Sequence, residues 1–287
     1  MNKKITLAKG ASLTLRHLFL LVLAVFWLIP IIWLLFNSFS IDPGINIRRF
    51  FPEAFTLHNY ELLLFDTDDT VARFPVWFSN TLKIAIFSCL ISSIFVLMVS
   101  YAMSRMRFKG RRSLMSFGVI LGLFPGFLAM IAVYFILRTF GLTNNHWGLV
   151  LIYSGSSGLG YLIAKGFFDT ISETLSESAR IDGATESQIF RMIIIPLSKP
   201  IIVYTVIAAF LAPWMDFMFA NIMLNSGIAT DWTVAMGLYR MLDRALVNTH
   251  FARFCAGGVL VSIPISILFV IMQKFYIEGI TGGAVKG

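Results

Sequence analysis

The sequence predicts an all-α membrane protein whose helices form a bundle of six spans. Of its 287 residues, 57% are hydrophobic and only 13% are charged, and its mean hydropathy is +0.81. This much apolar surface exceeds what a soluble core can cover. A helix crosses the hydrocarbon of a bilayer with roughly 20 apolar residues. Six runs of that kind lie along the chain, at residues 18–36, 81–103, 114–137, 149–168, 201–224 and 254–275.

The first run has the length of a retained span. It contains Pro30 and two tryptophans, and it lacks the small-x-small cleavage site of a secretory signal peptide. The loop that follows is rich in proline, aspartate and aromatic residues, which predicts a folded hairpin on the bilayer surface. The expected organisation is a cytoplasmic N-terminus, a first span, an external loop, a continuous core and a C-terminal tail at residues 1–17, 18–36, 37–73, 74–272 and 273–287.

Lysine and arginine are distributed unevenly between the connections of the six runs, and such residues stay on the cytoplasmic side of short loops. Fifteen of them lie on the side of both termini and of the connection after the fourth run. Seven lie on the other side, where the first loop is acidic. Both termini are therefore predicted to be cytoplasmic. The net charge of +8 follows from this topology and requires no nucleic-acid partner.

Besides the first run, three runs contain a proline, which removes a backbone hydrogen bond and bends a helix. Pro125, Pro213 and Pro264 therefore predict kinks in the third, fifth and sixth spans. Both cysteines, Cys89 and Cys255, fall inside predicted spans. There they serve as small apolar side chains, and no disulfide is predicted.

A polar stretch separates the fourth and fifth runs, and we call residues 172–196 the elbow. Connections between spans are usually short, so a polar stretch of this length predicts helical structure outside the bilayer. Gly183 lies near its middle, where one helix can stop and another begin. The small side chains of Ala179 and Ala184 leave room for close contact. The elbow therefore predicts a docking surface for a soluble partner.

Two residue pairs in the elbow have the spacing of a capping box, in which a hydroxyl and a carboxyl or amide satisfy the first free N–H groups of a helix. Thr174 precedes Glu177 by three residues, and Thr185 precedes Gln188 by three. The elbow is thus predicted to contain two short helices, each with a capping box, on either side of Gly183.

The elbow resembles the EAA loop of the permeases of ABC importers. That loop reads Glu-Ala-Ala, then Asp-Gly-Ala, then an apolar stretch that ends in proline, and Ser178 stands here in place of the second alanine. In that family the loop is a coupling helix held in a cleft of an ATPase subunit. The resemblance implies ATPase contact for Glu177, Ser178, Ala179, Asp182, Gly183, Ala184, Phe190, Ile193 and Pro196.

The last fifteen residues form a glycine-rich segment for which composition alone predicts disorder. They resemble the ending of the carbohydrate-uptake subgroup of these permeases, Gly-(Leu/Ile)-Thr-x-Gly-x-Val-Lys-Gly. Residues 74–272 resemble the five-helix core of type I ABC permeases. The resemblance implies that the tail enters the interface between two ATPase subunits through Thr281, Gly282, Gly283, Lys286 and Gly287.

No chemistry of its own is predicted for the chain. The P-loop pattern Gly-x-x-x-x-Gly-Lys-Ser/Thr does not occur, so partner subunits are expected to use ATP, and this chain is expected to bind no cofactor. No metal-ligand spacing occurs, and we predict no metal and no catalytic residue. Four histidines lie at span ends and in loops, where solvated surface side chains are expected: His17, His58, His146 and His250.

Asp216 is an acidic residue deep in the predicted fifth span, where an ionisable side chain is costly. Two interpretations weigh about equally. Asp216 lines a path for substrate, with Trp214 beside it stacking on a sugar, or it makes a structural hydrogen bond into the kink at Pro213. The hydroxyls of Ser154 and Ser156 in the fourth span are further candidates for the path, although tight helix packing is the commoner use of a run of serine and glycine.

With the resemblance, these features imply the permease subunit of an ATP-driven ABC sugar importer in a bacterial cell membrane, with maltose or maltodextrins as the expected substrate. The expected partners are a homologous second permease, two ATPase subunits, an external substrate-binding protein and membrane lipid, without nucleic acid. Three alternatives stay open. They are an importer of the same architecture for another oligosaccharide or glycerol phosphate, a secondary transporter or channel that works alone, and a membrane scaffold.

Overall fold

The computed structural model describes the backbone of residues 2–45, 49–66, 73–155 and 160–284, and the side chains from residue 13 to residue 275 within them. Over these residues the chain is helical apart from turns and one antiparallel bridge between Ser40 and Phe55. The all-α fold class is confirmed. The helices are α1 Asn2–Ser38, α2 His58–Phe65, α3 Phe74–Arg105, α4 Arg111–Leu123, α5 Gly126–Thr139, α6 His146–Gly155, α7 Gly160–Asp169, α8 Glu173–Ile181, α9 Glu186–Ile189, α10 Ile195–Leu197, α11 Lys199–Met215, α12 Met218–Met223, α13 Val234–Met241 and α14 Val247–Ala284.

Four helical segments are long and apolar enough to cross a membrane: Leu13–Ser38, Phe74–Arg105, His146–Asp169 and Val247–Phe275. The third combines α6 and α7 on either side of residues 156–159, which lie outside the described part of the chain. Two bent helix pairs meet the same criteria, α4 with α5 and the helix of Glu186–Leu197 with α11. The predicted six spans are therefore matched only when each bent pair counts as one crossing.

The third predicted span is broken at its proline. Helix α4 ends before Phe124, α5 begins after Pro125, and the two helices are bent by 104°. Pro125 has no N–H group with which to continue the hydrogen bonds of α4. The predicted kink is confirmed, and it is sharp enough to separate two helices.

The fifth predicted span, residues 201–224, is wrong at its end. Helix α11 ends one residue before Asp216, whose backbone is extended, and α12 begins two residues after it. The Asp216 carboxylate accepts a hydrogen bond from the N–H of Phe219 at 3.0 Å, so it starts α12 instead of continuing α11. The apolar composition runs unchanged across this break, and for that reason the sequence did not reveal it.

Helix α14 runs without a break through Pro264, so the predicted kink does not interrupt it. Proline is tolerated in membrane helices because neighbouring groups satisfy the freed carbonyl. The helix also continues into the predicted tail as far as Ala284, and the disorder expected from composition is wrong there. Cys89 and Cys255 are both buried and unpaired, as predicted.

The chain divides into two compact units, of which the first contains residues 1–68 and 240–260. Its loop after α1 folds back on that helix, since Phe51 packs on Phe36 with ring centroids 4.9 Å apart. The hydroxyl of Tyr60 in α2 lies 2.7 Å from the hydroxyl of Ser38, and the two share a hydrogen bond. The end of α1 is thereby held by side chains of the loop that follows it.

The second unit contains residues 69–239 and 261–287 and is organised around α3, which packs against α6, α7 and α11. Small hydroxyl side chains allow close approach, and Ser100 on α3 donates to the carbonyl of Tyr161 on α7 at 2.9 Å. One buried cluster surrounds Ile84, Leu149 and Met223. A second, which we call the elbow cluster, contains Val96, Leu97, Tyr101, Ala164, Phe168, Ile189, Ile194 and Ile201.

Candidate functional site

The elbow forms two short helices joined at a glycine. Helix α8 precedes Gly183 and α9 follows it, and a π-helical turn at Phe190–Ile194 then leads into α10. Gly183 has a φ of +86°, a left-handed conformation that is costly for residues with a Cβ. The predicted arrangement of helix, glycine and helix is confirmed.

The second predicted capping box is present and the first is not. Gln188 donates from its backbone N–H to the Thr185 hydroxyl at 3.4 Å, and its side-chain oxygen accepts from the Thr185 N–H at 2.8 Å. Helix α8 begins with Ser172 as its N-cap, so Thr174 lies inside the first turn and makes no cap with Glu177. The Thr174 hydroxyl instead hydrogen-bonds with the hydroxyl of Ser172 at 2.7 Å.

One side of the elbow packs on the elbow cluster. The Phe190 ring lies against the ring of Tyr101 with centroids 4.9 Å apart. Four of the residues predicted to couple to an ATPase are half-buried against this cluster: Ala179, Ala184, Phe190 and Ile193. These four side chains therefore hold the elbow on the helices.

The rest of the predicted coupling set is exposed, namely Glu177, Ser178, Asp182, Gly183 and Pro196. The two most exposed large apolar side chains of the same segment are Ile181 at 86% and Met192 at 74%. Sequence reasoning missed both, although an isoleucine in a polar helix directly before Asp-Gly is a signal that could have found Ile181. Exposed apolar side chains with a polar rim are typical of a surface that a partner protein covers.

Polar contacts attach the elbow to the end of α3. The Tyr101 hydroxyl donates to one carboxylate oxygen of Glu186 at 2.6 Å, and Arg180 Nε donates to the other oxygen at 2.7 Å. These two bonds, from Arg180 and then from Tyr101, lower the pKa of the Glu186 carboxyl below its ordinary range. Sequence reasoning gave neither Tyr101 nor Glu186 a role, because a separation of 85 residues leaves no local signal.

Arg105 makes a second attachment in the last turn of α3. Its buried guanidinium donates from Nη2 to the carbonyl oxygens of Phe168 at 2.6 Å and Ile171 at 2.5 Å. These carbonyls belong to the end of α7 and to the turn before α8, where a cation also complements the helix dipole. The end of α3 therefore contacts the chain both before and after α8.

Asp216 is held by two structural hydrogen bonds. Its carboxylate accepts from the Tyr153 hydroxyl at 2.8 Å and from the N–H of Phe219 at 3.0 Å. A structural hydrogen bond was one of the two predicted interpretations, but it was expected at the Pro213 kink. The carboxylate instead bonds to the N–H of Phe219 at the start of α12. Tyr153 directly precedes Ser154, so Asp216 is bonded next to another predicted path residue. Its use as a path residue stays a prediction.

Two other predicted path residues are buried. Trp214 is 4% exposed and packs on Phe78 with ring centroids 5.3 Å apart. Its indole N–H has no hydrogen-bond partner among the residues that the structure describes. Ser154 donates to the carbonyl of Val150 at 2.6 Å and borders a cavity of about 400 Å³ with apolar side chains of α3. Ser156 lies outside the described residues.

The tail residues predicted to contact ATPase subunits lie at the edge of the described chain. Thr281, Gly282 and Gly283 fall within α14, where only the backbone is described. Lys286 and Gly287 lie outside the described residues. The role of the tail therefore stays a prediction.

The histidines differ in their surroundings. His17 and His58 are exposed, as expected, whereas His250 is buried, so the expected solvated surface is wrong for it. His146 hydrogen-bonds through Nε2 with the carbonyl oxygen of Asp231 at 2.8 Å. Within the ranges that the structure describes, no three His, Cys, Asp or Glu side chains are grouped so as to hold a metal ion.

The chain is similar to transport proteins along almost its whole length. The family model for binding-protein-dependent transport system inner membrane components matches residues 96–281. The chain is 32% identical to a galactooligosaccharides transport system permease protein of Bacillus subtilis strain 168, over 96% of each chain. It is 30% identical to a maltose/maltodextrin transport system permease protein of Escherichia coli strain K12, over 98% of each chain.

A solved structure has a similar fold. It is a bacterial ABC transporter involved in the import of the acidic polysaccharide alginate, with a TM-score of 0.72 and 24% identity. The similarity covers 91% of this chain and 95% of that one. The residues matched by the family model contain the whole elbow together with the end of α3 that holds it.

Proposed function

Because this chain belongs to the family of binding-protein-dependent transport system inner membrane components, we propose that it is the permease subunit of an ATP-driven ABC importer for an oligosaccharide. The observation that carries the proposal is the elbow, whose exposed glycine hinge presents apolar and acidic side chains to a soluble partner. The subunit lies in a bacterial cell membrane with both termini in the cytoplasm. It binds no cofactor itself, and partner subunits use the ATP.

The proposed complex contains four kinds of subunit. This chain pairs with a homologous second permease, two ATPase subunits bind on the cytoplasmic side, and an external substrate-binding protein delivers the sugar. The family description supports the last of these partners, since its members belong to binding-protein-dependent systems. The excess of lysine and arginine on the side of the elbow supports the cytoplasmic position of the ATPase subunits.

Docking on an ATPase subunit uses the exposed side of the elbow. Ile181 projects with 86% of its surface exposed, between the exposed carboxylates of Glu177 and Asp182 along the chain. A cleft with an apolar floor and basic residues at its rim would bury the isoleucine and pair with the carboxylates. The half-buried Ala179 and Ala184 fix the position of the elbow on the rest of the subunit.

The proposed mechanism is alternating access. Closure of the ATPase dimer on ATP moves the elbow, and the helices attached to the elbow move as rigid bodies. The translocation path then opens alternately to the two sides of the membrane. The elbow transmits force in this mechanism and performs no chemistry. The bends of 104° between α4 and α5 and of 86° before α11 are the places where the helices are already separated and can move. The tail from Thr281 onward enters the interface between the ATPase subunits.

Maltose or maltodextrin is the proposed substrate, and a galactooligosaccharide is the second candidate. Relatives named for each are similar to the same extent, at 30% and 32% identity. Both sugars present flat apolar ring faces on which aromatic side chains stack, so this chemistry does not distinguish them. The two therefore have to be separated by measurement of transport.

The test is reconstitution of the complete complex in lipid vesicles. The ATPase subunits are expected to co-purify with this chain, and labelled maltotriose is expected to enter the vesicles only with ATP and the binding protein. Uptake of a galactooligosaccharide but not of maltotriose would contradict maltodextrin as the substrate, and the proposed importer function would still stand. Uptake by the purified chain under an ion gradient, without ATPase subunits, would show a secondary transporter and overturn the proposal.

A matched pair of variants tests the docking surface. Ile181→Asp is expected to abolish co-purification of the ATPase subunits, because it places a charge where an apolar side chain docks. Phe140→Asp changes an exposed apolar residue, 74% exposed, that lies in a connection predicted to be external. It is expected to leave co-purification unchanged. Equal behaviour of the two variants would contradict the assignment of the elbow as the docking surface.

A further inference from the structure

We propose that Tyr101, Glu186 and Arg180 are positioning residues that lock the elbow to α3, so that force applied to α8 reaches the transmembrane helices. This inference rests on the proposed function and deepens it, since it names the side chains that carry the coupling. None of the three belongs to the set of residues predicted to contact an ATPase. They lie in the second compact unit, whose elbow cluster they border.

A lock is needed at the hinge itself, because the packing of Ala179 and Ala184 on the elbow cluster does not extend to Gly183 between them. A Cβ built on Gly183 would meet no atom within 4 Å, so no neighbouring side chain fills the space around the turn. Glycine also restricts its own backbone less than any other residue. Around the turn, the backbone contributes the bond from Gly183 N–H to Arg180 O at 3.1 Å and that from Ala184 N–H to Ala179 O at 2.9 Å. A load on α8 would otherwise bend the chain at this glycine.

The Glu186 carboxylate bridges the hinge through its two oxygens. One oxygen accepts from Arg180, at the end of α8, and the other accepts from the hydroxyl of Tyr101, on α3. One side chain of α9 thus joins the helix before the hinge and the helix that runs through the centre of the unit. A half-exposed ion pair holds two elements weakly by itself.

Tyr101 supplies the rigid part of the arrangement. It is 6% exposed, and its ring packs on Phe190, so the direction of its hydroxyl is set by surrounding side chains. Hydrogen bonds to charged groups are the strong ones. Arg105, one turn further along α3, holds the carbonyls of Phe168 and Ile171 on the other side of α8. With both ends of α8 attached to one rigid helix, displacement of α8 is transmitted to α3.

The test compares two Tyr→Phe variants in the reconstituted complex. Tyr101→Phe keeps the ring on Phe190 and removes only the hydroxyl that reaches Glu186. The matched control is Tyr161→Phe, because Tyr161 packs on the same elbow cluster but its hydroxyl lies against Gly118. The measured quantities are co-purification of the ATPase subunits and the number of sugars transported per ATP hydrolysed.

For Tyr101→Phe, ATPase co-purification is expected to be unchanged and the transport-to-ATP ratio to fall about tenfold, the usual effect of a lost hydrogen bond to a charged group. Tyr161→Phe is expected to keep the ratio of the unmodified chain. Glu186→Gln keeps an oxygen for Tyr101 but loses the ion pair with Arg180, and it is expected to give an intermediate ratio. Combining it with Tyr101→Phe is expected to cost less than the two separate effects added together.

The proposed lock would be contradicted if Tyr101→Phe left the transport-to-ATP ratio unchanged, or if Tyr161→Phe lowered that ratio equally. Should Tyr101→Phe fail to fold, Glu186→Gln at the half-exposed carboxylate carries the test alone, and an unchanged ratio there equally contradicts the lock. Failure of the ATPase subunits to co-purify with the unmodified chain would instead overturn the proposed function. The two failures are therefore distinguishable.

Discussion

Substitution of Gly183 tests the elbow through its backbone alone. Its φ of +86° lies in the left-handed region, which costs an L-residue about 1–2 kcal/mol. Since a Cβ at this position meets no atom within 4 Å, steric clash adds nothing. Gly183→Ala is therefore expected to shift the equilibrium away from the bent elbow by a factor of roughly 5–30, and to lower the apparent affinity for the ATPase subunit by up to that factor.

Asparagine and aspartate tolerate the left-handed region better than alanine. Gly183→Asn is therefore expected to weaken docking less than Gly183→Ala. Gly183→Asp has the same backbone cost as Gly183→Asn but adds a second carboxylate beside Asp182, on the exposed side of the elbow. It is expected to abolish docking while membrane insertion stays intact, because a charge two residues from Ile181 would enter the apolar floor of the proposed cleft without a partner. The comparison of Asn with Asp thus isolates the charge.

The assay is titration of purified ATPase subunit onto this chain in lipid nanodiscs, for glycine, asparagine, alanine and aspartate at position 183. The amount of each variant in the membrane fraction gives the control for insertion. The expected order of affinity is glycine, asparagine, alanine and then aspartate. Equal binding by alanine and glycine would refute the backbone argument, and equal binding by aspartate and asparagine would refute the placement of residue 183 at the docking surface.

Three further substitutions address the packing and caps. Gly237→Ala is expected to lower the free energy of unfolding by about 1–3 kcal/mol, because the added Cβ would clash with the buried Trp77 ring. The control Gly166→Ala adds a Cβ that meets no atom within 4 Å, so it should be neutral or stabilising. Thermal unfolding in detergent compares the two variants. Thr185→Ala removes the capping box and should destabilise the first turn of α9 by about 1 kcal/mol. Amide hydrogen exchange in that turn should become faster, and an unchanged exchange rate would contradict the role of the cap. Arg105→Lys should lower the melting temperature, because both bonds come from the terminal Nη2, which the shorter lysine side chain does not reach. A melting temperature equal to that of the unmodified chain would contradict this role of Arg105.

The sequence predicted those features of the elbow that depend on near neighbours. A capping box needs a hydroxyl and an amide three residues apart, so Thr185 and Gln188 identify their helix start without any other part of the chain. Gly183 identifies the turn in the same way, because only glycine enters the left-handed region at no steric cost. The same rule failed for Thr174 because it fixes only a spacing and does not say which residue begins the helix. Helix α8 begins two residues too early for that cap, at Glu173 with Ser172 as its N-cap.

The apolar runs predicted the all-α membrane fold, because every backbone polar group in a bilayer must be satisfied within the segment and a helix does this. Their number was less secure, since hydropathy averages over a window and does not detect a break such as that at Asp216. Which side chains meet across the unit depends on which faces of the helices pack, and no short-range spacing contains that information. The bonds of Asp216 to Tyr153, of Glu186 to Tyr101 and of Arg105 to the end of α7 were therefore decided by the tertiary structure alone.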